Sequence, residues 1–281
     1  MGRTIRILGL HGYGTSGAIF ESQTATFRQH LNKGDPYNSG DKFEFDFVDG
    51  PFPSGPAAGI ELFYNPPYYC FWPINHTLDD IAAGRKWLYD YIHKNGPYDG
   101  VIMFSQGCVL GSVTLLHHFK DTPTKPPPFK FAIFVCGGPP LKELEDNLGF
   151  TVPKEIWALD LASRKALAQR ADTAAILARG SDRWQNDLQD LTDLTSEELA
   201  ELIHGPIQMN IPTVHIVGAK DPRNFSGYQL HALSHPDVRK IYEHHGGHDI
   251  PRDVSTSTTI ASLVRWVSSP LTAAKLGQNG A

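Results

Sequence analysis

The chain has 281 residues, of which 41% are hydrophobic and 20% charged, which is the composition of an ordinary globular protein. Its 25 basic and 30 acidic residues give a formal net charge of −5, and no basic stripe is present, so nucleic acid is a poor candidate partner. No stretch approaches the roughly 18 consecutive apolar residues of a membrane span, and the N-terminal sequence lacks the pattern of a signal peptide. Three cysteines in no paired spacing favour a reducing environment. We therefore expect a cytoplasmic protein without a membrane partner.

Six short apolar runs, rich in isoleucine, valine and phenylalanine, predict the strands of the chain. They are bounded by glycine, proline or aspartate and cover 4–10, 43–49, 100–104, 130–136, 211–217 and 238–243. Near-continuous runs of this kind are typical of strands buried on both faces of a parallel sheet. Helical periodicity predicts helices between them, over 17–32, 77–94, 106–119, 225–234 and 254–268. The alternation predicts a doubly wound α/β fold that binds ligands at the carboxyl ends of its strands.

Two long segments interrupt the alternation of strands and helices. Residues 50–76 are dense in proline, glycine and aromatic residues, and the segment is too long for an ordinary connection. Residues 141–205 have a mostly helical pattern, which predicts a helical lid inserted into a single domain of residues 1–281. Aromatic residues of both segments are candidates for the walls of an acyl-binding pocket, with packing on the core as the alternative. They are Tyr64, Tyr68, Tyr69, Phe71, Trp72, Trp157 and Trp184.

Ser105 is the first candidate for chemistry, since it follows the apolar run 100–104 and precedes Gln106, Gly107 and an apolar helix. A serine at a sharp strand-to-helix turn is exposed at the edge of the sheet, where the backbone N–H of the next residue faces the oxyanion. The spacing therefore predicts Ser105 as a nucleophile and the Gln106 N–H as an oxyanion donor. The usual pattern G-x-S-x-G begins with glycine, whereas this chain has Met103. The alternative is that Ser105 only caps the helix.

Asp221 and His248 complete the set of residues that a serine nucleophile requires. Asp221 lies just past the run 211–217 and His248 just past the run 238–243, so both follow predicted strands. The chain order Ser, Asp, His is that of the α/β-hydrolase triad. In such a triad the imidazole takes the serine proton, and the carboxylate fixes the imidazole tautomer and stabilises the cation. These positions predict His248 as the base and Asp221 as the acid that orients it.

The sequence HHGGH around the candidate base carries two further expectations. Gly246 and Gly247 are expected to let the loop bend the His248 ring back towards the nucleophile. His244 and His245 could instead join His248 in a metal site, but no further carboxylate or cysteine ligand is obvious nearby. We therefore expect no metal.

The glycine-rich loop after the first apolar run favours a competing function. Gly12, Gly14 and Gly17 match G-x-G-x-x-G between a predicted strand and a predicted helix, which is the context of a dinucleotide site. That fingerprint also needs an acidic residue at the end of the second strand, about 20 residues on. Asp35 has this spacing but lies in a Gly-Asp-Pro turn, and Asp49 ends a strand but lies farther along. An NAD(P)-dependent oxidoreductase is the alternative that this loop leaves open.

Four sequence motifs, LHGYGTSG, MFSQG, GAKD and HHGGHDIP, lie at the candidate site. Taken together, they make the chain resemble the fungal and animal family of small serine hydrolases often called the FSH family. The resemblance implies an α/β-hydrolase fold without a cofactor, with Ser105, Asp221 and His248 as the triad and the Tyr13 and Gln106 N–H groups as oxyanion donors. Members of that family include esterases and stand-alone thioesterases that release polyketide chains from their synthases.

The resemblance therefore implies hydrolysis of a small-molecule acyl ester or acyl thioester, with a role in fungal polyketide and other secondary metabolism. The acyl group could also arrive on a carrier protein. A non-catalytic binding module on a hydrolase scaffold is a further alternative, because Met103 departs from the usual elbow pattern. The sequence does not indicate an oligomeric state.

Overall fold

The computed structural model of the protein describes residues 2–33 and 40–277. Its strands are β1 (Thr4–Leu10), β2 (Lys42–Val48), β3 (Phe52–Pro53), β4 (Tyr69–Cys70), β5 (Gly100–Phe104), β6 (Phe131–Val135), β7 (Thr213–Gly218) and β8 (Arg239–His244). Six of them form a sheet in the order β2-β1-β5-β6-β7-β8, with every neighbouring pair parallel. β3 and β4 form a separate antiparallel pair. The predicted runs agree with the six sheet strands to within two residues, and β7 starts after Pro212 because proline has no N–H to give to the ladder.

Helices follow the strands in the alternation that the sequence predicts. They are α1 (Gly17–Asn32), α2 (Leu78–Asn95), α3 (Gln106–Asp121), α4 (Leu141–Asp146), α5 (Lys154–Ala171), α6 (Thr173–Arg179), α7 (Leu188–Leu191), α8 (Ser196–Glu201), α9 (Asn224–Ala232), α10 (Val254–Val267) and α11 (Pro270–Ala274). Capping boxes begin α2 at Thr77 and α8 at Thr195, where the side chains of Asp80 and Glu198 reach back to the cap N–H. The doubly wound α/β fold is thereby confirmed.

Each face of the sheet is covered by its own apolar cluster. On one face, strand residues such as Ile7 and Ile102 pack with side chains of α1 and α10. On the other face, Leu8 and Met103 pack with side chains of α2, α3 and α9. Adjacent strand residues point to opposite faces, so a strand that is covered on both sides needs a continuous apolar run. This explains the pattern by which the strands were predicted.

The two segments that interrupt the alternation are ordered differently from each other. Residues 141–205 contain the helices α4 to α8, as their helical pattern predicts. That the chain is a single domain with this segment as its lid remains a prediction. Residues 50–76 carry the β3–β4 pair, whose strand β4 also bonds to the loop after β1: the Gly14 N–H donates to the Tyr69 carbonyl at 3.0 Å. Gly14 has φ +65, and a Cβ there would collide with the backbone of Ala57, so glycine is required.

None of the helices in the described part of the chain is long and apolar enough to cross a membrane.

Candidate active site

Ser105 stands at a strained turn between β5 and α3. Its φ is 50° and its ψ is −108°, and a non-glycine residue held in such a region costs on the order of 1–3 kcal/mol. Its N–H donates to the Val135 carbonyl of the neighbouring β6 at 3.1 Å. Its side chain makes no capping hydrogen bond to α3. Ser105 is therefore held out of the helix by the sheet, and the helix-cap alternative is not supported.

Met103 does not distort this turn, although glycine is usual at its position. The Met103 side chain is fully buried, and its sulfur occupies the space where a Cβ of Gly111 would lie. A glycine in the second turn of α3 thus makes room for the methionine. The departure from G-x-S-x-G is compensated inside the core, which removes the reason for proposing a degenerate, non-catalytic scaffold.

A chain of two hydrogen bonds connects the three residues that the sequence predicts as a triad. His248 Nε2 lies 3.1 Å from Ser105 Oγ, and His248 Nδ1 lies 2.7 Å from Asp221 Oδ2. Because the carboxylate can only accept, Nδ1 carries the proton and Nε2 is free to accept the serine proton. The residues come from the ends of β5, β7 and β8, so the parallel sheet brings them to one edge.

The Asp221 carboxyl is almost completely buried, with 2% of its surface exposed. Burial opposes its ionisation, but His248 and the Arg223 N–H, which donates to Oδ1 at 2.8 Å, hold the pKa of Asp221 below its usual range. Asp221 is therefore an anion at neutral pH. Both of its oxygens are engaged, which fixes the plane of the carboxylate against the imidazole.

The loop after β8 presents His248 through packing, and not through the backbone freedom that its glycines were expected to supply. Gly246 and Gly247 are not among the described glycines with positive φ. A Cβ on Gly247 would instead collide with the indole of Trp184, which lies on this backbone from the insertion. The expectation that these glycines let the loop bend is therefore wrong for Gly247. Glycine is needed there because a side chain would occupy the space of the Trp184 indole.

The loop after β1 lies directly against the elbow. A Cβ on Gly12 would stand 3.4 Å from the Ser105 Cβ, so the Gly12–Tyr13 peptide borders the nucleophile. The Gly12 carbonyl accepts hydrogen bonds from His11 Nδ1 at 2.6 Å and from the Thr15 hydroxyl at 2.7 Å. In a trans peptide the N–H points opposite to the C=O, so these two bonds aim the Tyr13 N–H away from His11 and Thr15.

His11 is buried, stacks on Phe71 with ring centroids 4.9 Å apart, and accepts the Gly50 N–H at Nε2. Burial lowers the pKa of His11, so it stays neutral with its proton on Nδ1, where it donates to the Gly12 carbonyl. Sequence reasoning missed His11 and Thr15 as supports of the predicted oxyanion loop. The only available signal was their place on either side of the glycine-rich turn.

Gln106 contributes its side chain as well as the backbone N–H that the sequence singles out. Its carbonyl oxygen accepts the Phe71 N–H at 3.0 Å, and its amide donates to the Trp72 carbonyl at 2.8 Å. The residue after the serine therefore grips the backbone of segment 50–76. Within the described residues, the Gln106 and Tyr13 N–H groups make no hydrogen bond to protein, which leaves both able to serve as oxyanion donors.

The aromatic candidates for the pocket are dispersed. Phe71 and Trp72 are 0% and 2% exposed and belong to the core, so their rings offer no free face. Tyr68 is buried too, while the half-buried Trp157 donates from its indole to Glu145. The remaining three lie nearer the loops of the site, each with a contact of its own.

Trp184 lines a cavity of about 310 Å³ with residues of the His248 loop. Tyr64 accepts a hydrogen bond from Arg252 at 2.6 Å, and half-buried Tyr69 bonds through its backbone to Gly14 and Thr15. The structure thus brings Trp184 to the loop that carries His248, whereas it does not bring the seven rings together into one wall.

Asp249, next to the candidate base, is a half-buried residue with a buried Oδ1 that sequence reasoning did not single out. Its Oδ1 has no hydrogen-bond partner within the described residues. Burial raises the pKa of Asp249, although His248 and Arg183 act in the opposite direction. An ionised Asp249 is therefore held at a cost in stability beside His248.

The dinucleotide alternative fails at the first turn of α1. The Gly17 N–H donates to Asp49 Oδ1 at 2.8 Å, and the Ile19 N–H donates to Ser16 Oγ at 3.2 Å. These are the N–H groups that a pyrophosphate would need. Gly14, the middle glycine of the fingerprint, is covered by Ala57. The prediction that Asp35 forms a turn lies outside the described residues.

The histidine cluster does not converge on a metal-like arrangement either. In the described ranges, the group of side chains close enough to share an ion consists of Cys136, Asp221 and His248, with ligand atoms within 4.8 Å. His244 and His245 are not part of it. His244 is buried and accepts the Gly246 N–H, and burial lowers its pKa to about 4. In the Cys136 group, Asp221 and His248 already bond to each other.

A parallel, doubly wound sheet whose central strand leads into a strained serine turn places the protein in the α/β-hydrolase class. Residues 1–260 match the sequence profile described as "Serine hydrolase (FSH1)", and the chain belongs to this family of serine hydrolases. The chain is therefore an enzyme, a serine hydrolase.

Curated relatives agree with this assignment. The chain is 30% identical to Esterase FPY3 of Fusarium mangiferae, over 98% of this chain and 100% of that protein. It is 28% identical to Esterase alnB of Emericella nidulans, over 93% and 95% of the two chains. Among solved structures, a carboxylesterase from Mesorhizobium loti is 12% identical with a TM-score of 0.49, covering 92% of this chain and 88% of that one.

Proposed function

We propose that Ser105, His248 and Asp221 form the catalytic triad of this hydrolase and that the reaction passes through an acyl-enzyme on Ser105. The observation that carries the proposal is the hydrogen-bond chain from Ser105 Oγ through the imidazole to the buried Asp221 carboxylate, with distances of 3.1 Å and 2.7 Å. Ser105 lies at a strained turn, and its hydroxyl makes no capping hydrogen bond to α3.

In acylation, Ser105 Oγ attacks the substrate carbonyl while its proton passes to His248 Nε2. The carbonyl oxygen becomes an oxyanion, for which the Tyr13 and Gln106 N–H groups and the N-terminus of α3 are the donors. The bond to the leaving group then breaks, and the alcohol or thiol leaves with the proton from His248 Nε2. A water molecule repeats the sequence in deacylation, so that the acid is released and the serine proton restored.

For the substrate, we infer an apolar and fairly large acyl group, as an ester or a thioester, and a role as a stand-alone thioesterase or hydrolase in fungal polyketide biosynthesis. The support is the resemblance of the motifs together with the length of segments 50–76 and 141–205. Both segments reach the edge of the sheet where the candidate triad lies, through Gln106 and through Trp184. Delivery on a carrier protein in the cytoplasm is part of this proposal.

Two experiments test these statements. A fluorophosphonate probe followed by peptide mapping should label Ser105 in the wild type and nothing in Ser105→Ala, whereas the exposed Ser262→Ala variant should label normally. Labelling of another residue would overturn the triad assignment. Matched N-acetylcysteamine thioesters and oxygen esters of rising acyl length test the substrate, since kcat/KM should rise steeply from acetyl to longer chains. If acetyl is the best substrate, the large-acyl proposal is wrong.

A further inference from the structure

Arg223 joins the loop of the candidate acid to the helical insertion, and it does so from a buried position. Its side chain is 12% exposed. The guanidinium donates to three acceptors on one turn of α5: the Asp160 carboxylate at 2.9 Å, the Ser163 hydroxyl at 3.2 Å and the Asp160 carbonyl at 3.4 Å. A planar fork of donors is suited to such a set, whereas the compact ammonium of a lysine has no such fork.

The same residue also touches Asp221 directly. The Arg223 N–H donates to Asp221 Oδ1 at 2.8 Å, while Oδ2 faces His248. The backbone that carries this N–H is anchored through its own side chain on α5. The orientation of the Asp221 carboxylate therefore depends on a side-chain contact with the insertion.

We propose that Arg223 is a positioning residue for Asp221, and that Asp160 of the insertion holds Arg223 in place. The proposal rests on the proposed function, in which Asp221 orients His248. Segment 141–205 then holds in place the loop after β7, which carries Asp221, independently of any role in substrate binding. Two weaker contacts follow the same course, from Asn186 to the Ala219 carbonyl at 3.3 Å and from Ser196 to Asn224 at 3.0 Å.

The charges of Arg223 and Asp160 explain why a change at either residue should affect the protonation of His248. Asp160 is 7% exposed, and its carboxylate lies between Arg223 and Arg164, whose guanidinium donates to Oδ2 at 2.7 Å. Burial opposes ionisation of Asp160, but these two cations hold its pKa below the usual range. The buried charges of Arg223 and Asp160 largely cancel at a distance. Removal of Asp160 leaves the Arg223 charge uncompensated close to the Asp221–His248 pair, and removal of Arg223 leaves Asp160 with the more exposed Arg164 as its remaining cation.

Other charged or titratable groups also act on that pair, and the test must hold them constant. Cys136 from the end of β6 and His244 and Asp249 from the loop after β8 act on it directly, while His245 of that loop and Arg183 of the insertion act on Asp249. Among the described residues, none of them hydrogen-bonds to the Arg223 guanidinium. Changes at Arg223 and Asp160 therefore leave these groups as they are.

The test uses the full-length enzyme with Asp160→Asn, Arg223→Gln and the double variant. In Asp160→Asn the unpaired guanidinium disfavours the imidazolium, so the acid limb of kcat/KM should move to lower pH. In Arg223→Gln the loss of one positive charge close to the Asp221–His248 pair favours the imidazolium, so the limb should move to higher pH. Each shift should be on the order of half a pH unit, as for one unit charge acting through a partly screened interior. In the double variant the limb should return to the wild-type position.

The rate gives a second readout. Both single variants should lose about tenfold or more in kcat with little change in KM, because a small displacement of a positioned catalytic group can cost up to about a hundredfold. The matched control is Arg164→Gln, which removes the other cation bonded to Asp160. Because the Arg164 side chain is 57% exposed, its charge is screened by solvent, and the acid limb of kcat/KM should not move. Loss of thermal stability with an unmoved limb in both single variants would reduce the pair to a structural role and overturn the proposal.

If Asp160→Asn does not fold, Arg223→Gln and the double variant still test the proposal. The acid limb of kcat/KM should move to higher pH in Arg223→Gln and return to the wild-type position in the double variant. Titration of the His248 imidazole by NMR, with its signal assigned by comparison with His248→Asn, needs no turnover. Shifts of opposite sign without hydrolysis would refute the proposed function alone. Normal hydrolysis, with Ser105 identified as the nucleophile in a separate labelling experiment, but without these shifts would refute the positioning role alone.

Discussion

The side chain of Met103 fills the space that Gly111 leaves in the second turn of α3. The two residues are eight positions apart and face each other across the interface between strand and helix. The elbow of this enzyme thus keeps its strained serine geometry with a large residue in place of the usual glycine. The compensation lies in the core, and it can be measured as a coupling between the two positions.

Gly111→Ala should lower the free energy of unfolding by about 1–3 kcal/mol, the usual cost of overpacking a core. The substitution is otherwise favourable in a helix by nearly 1 kcal/mol, so a loss would isolate the collision with Met103. Urea denaturation of Gly111→Ala, Met103→Ala and the double variant measures it. The two changes should be strongly non-additive, with the double variant more stable than the sum of the single variants. Simple additivity would show that the two side-chain positions do not compete for space.

Asp221→Asn should reduce kcat by about ten-thousand-fold, because an amide can donate to Nδ1 and stabilise the wrong imidazole tautomer. Ser105→Ala should reduce kcat further, by up to about a million-fold. Steady-state rates on an activated ester measure both, and circular dichroism confirms the fold of each variant. Near wild-type turnover in either variant would exclude the triad as assigned.

Thr15→Val tests the support of the predicted oxyanion peptide. The buried hydroxyl that holds the Gly12 carbonyl is lost while the shape is kept, so the Tyr13 N–H is held less firmly. We expect kcat to fall by about tenfold with KM little changed, a smaller effect than the hundredfold or more from loss of a whole donor. Thr15→Ser retains the hydroxyl and should restore most of the rate. Equal rates in the valine and serine variants would contradict this role.

Asp249→Asn should stabilise the protein at neutral pH, by about 1 kcal/mol, because it removes the charge of a half-buried carboxylate whose buried Oδ1 has no partner among the described residues. The pKa of Asp249 is raised by burial, so its ionised form weakens folding above the folded-state pKa. The gain should vanish as pH falls below about 3.9, where the carboxyl is neutral in both states.

Thermal unfolding between pH 3 and pH 8 measures the effect of Asp249→Asn. The control is Asp253→Asn, because Asp253 caps α10 and its hydrogen bond to the Thr256 N–H lowers the pKa of Asp253. This control should bring no gain at neutral pH. A destabilised Asp249→Asn protein at pH 7 would mean that the carboxylate has a favourable partner after all.

The sequence was sufficient to predict the features that depend on local pattern and chain order. Ser105, Asp221 and His248 each follow an apolar run, and a parallel sheet necessarily brings the carboxyl ends of its strands to one edge. The three residues could therefore be grouped before their distances were known. The capping boxes at Thr77 and Thr195 are local features of the same kind, since each depends on residues only three apart.

Contacts between distant segments could not be predicted in this way. Arg223 and Asp160 are 63 residues apart, and nothing in either neighbourhood distinguishes a buried ion pair from two surface charges. The aromatic segment 50–76 shows the same limit, because burial in the core and exposure in a pocket select the same residue types. Phe71 and Trp72 belong to the core, and only the three-dimensional packing distinguishes the two cases.

The indole of Trp184 packs on the backbone of Gly247. Because of this contact, the insertion cannot be exchanged between related enzymes independently of the loop after β8. Trp184 belongs to the insertion, and Gly247 belongs to the loop that carries His248. A chimeric enzyme that takes its insertion from a relative would also have to take the matching residue at position 247, since any side chain there collides with the tryptophan. Recombination between relatives should therefore succeed with the two segments transferred as one unit, and enzyme engineers should place their crossover points accordingly.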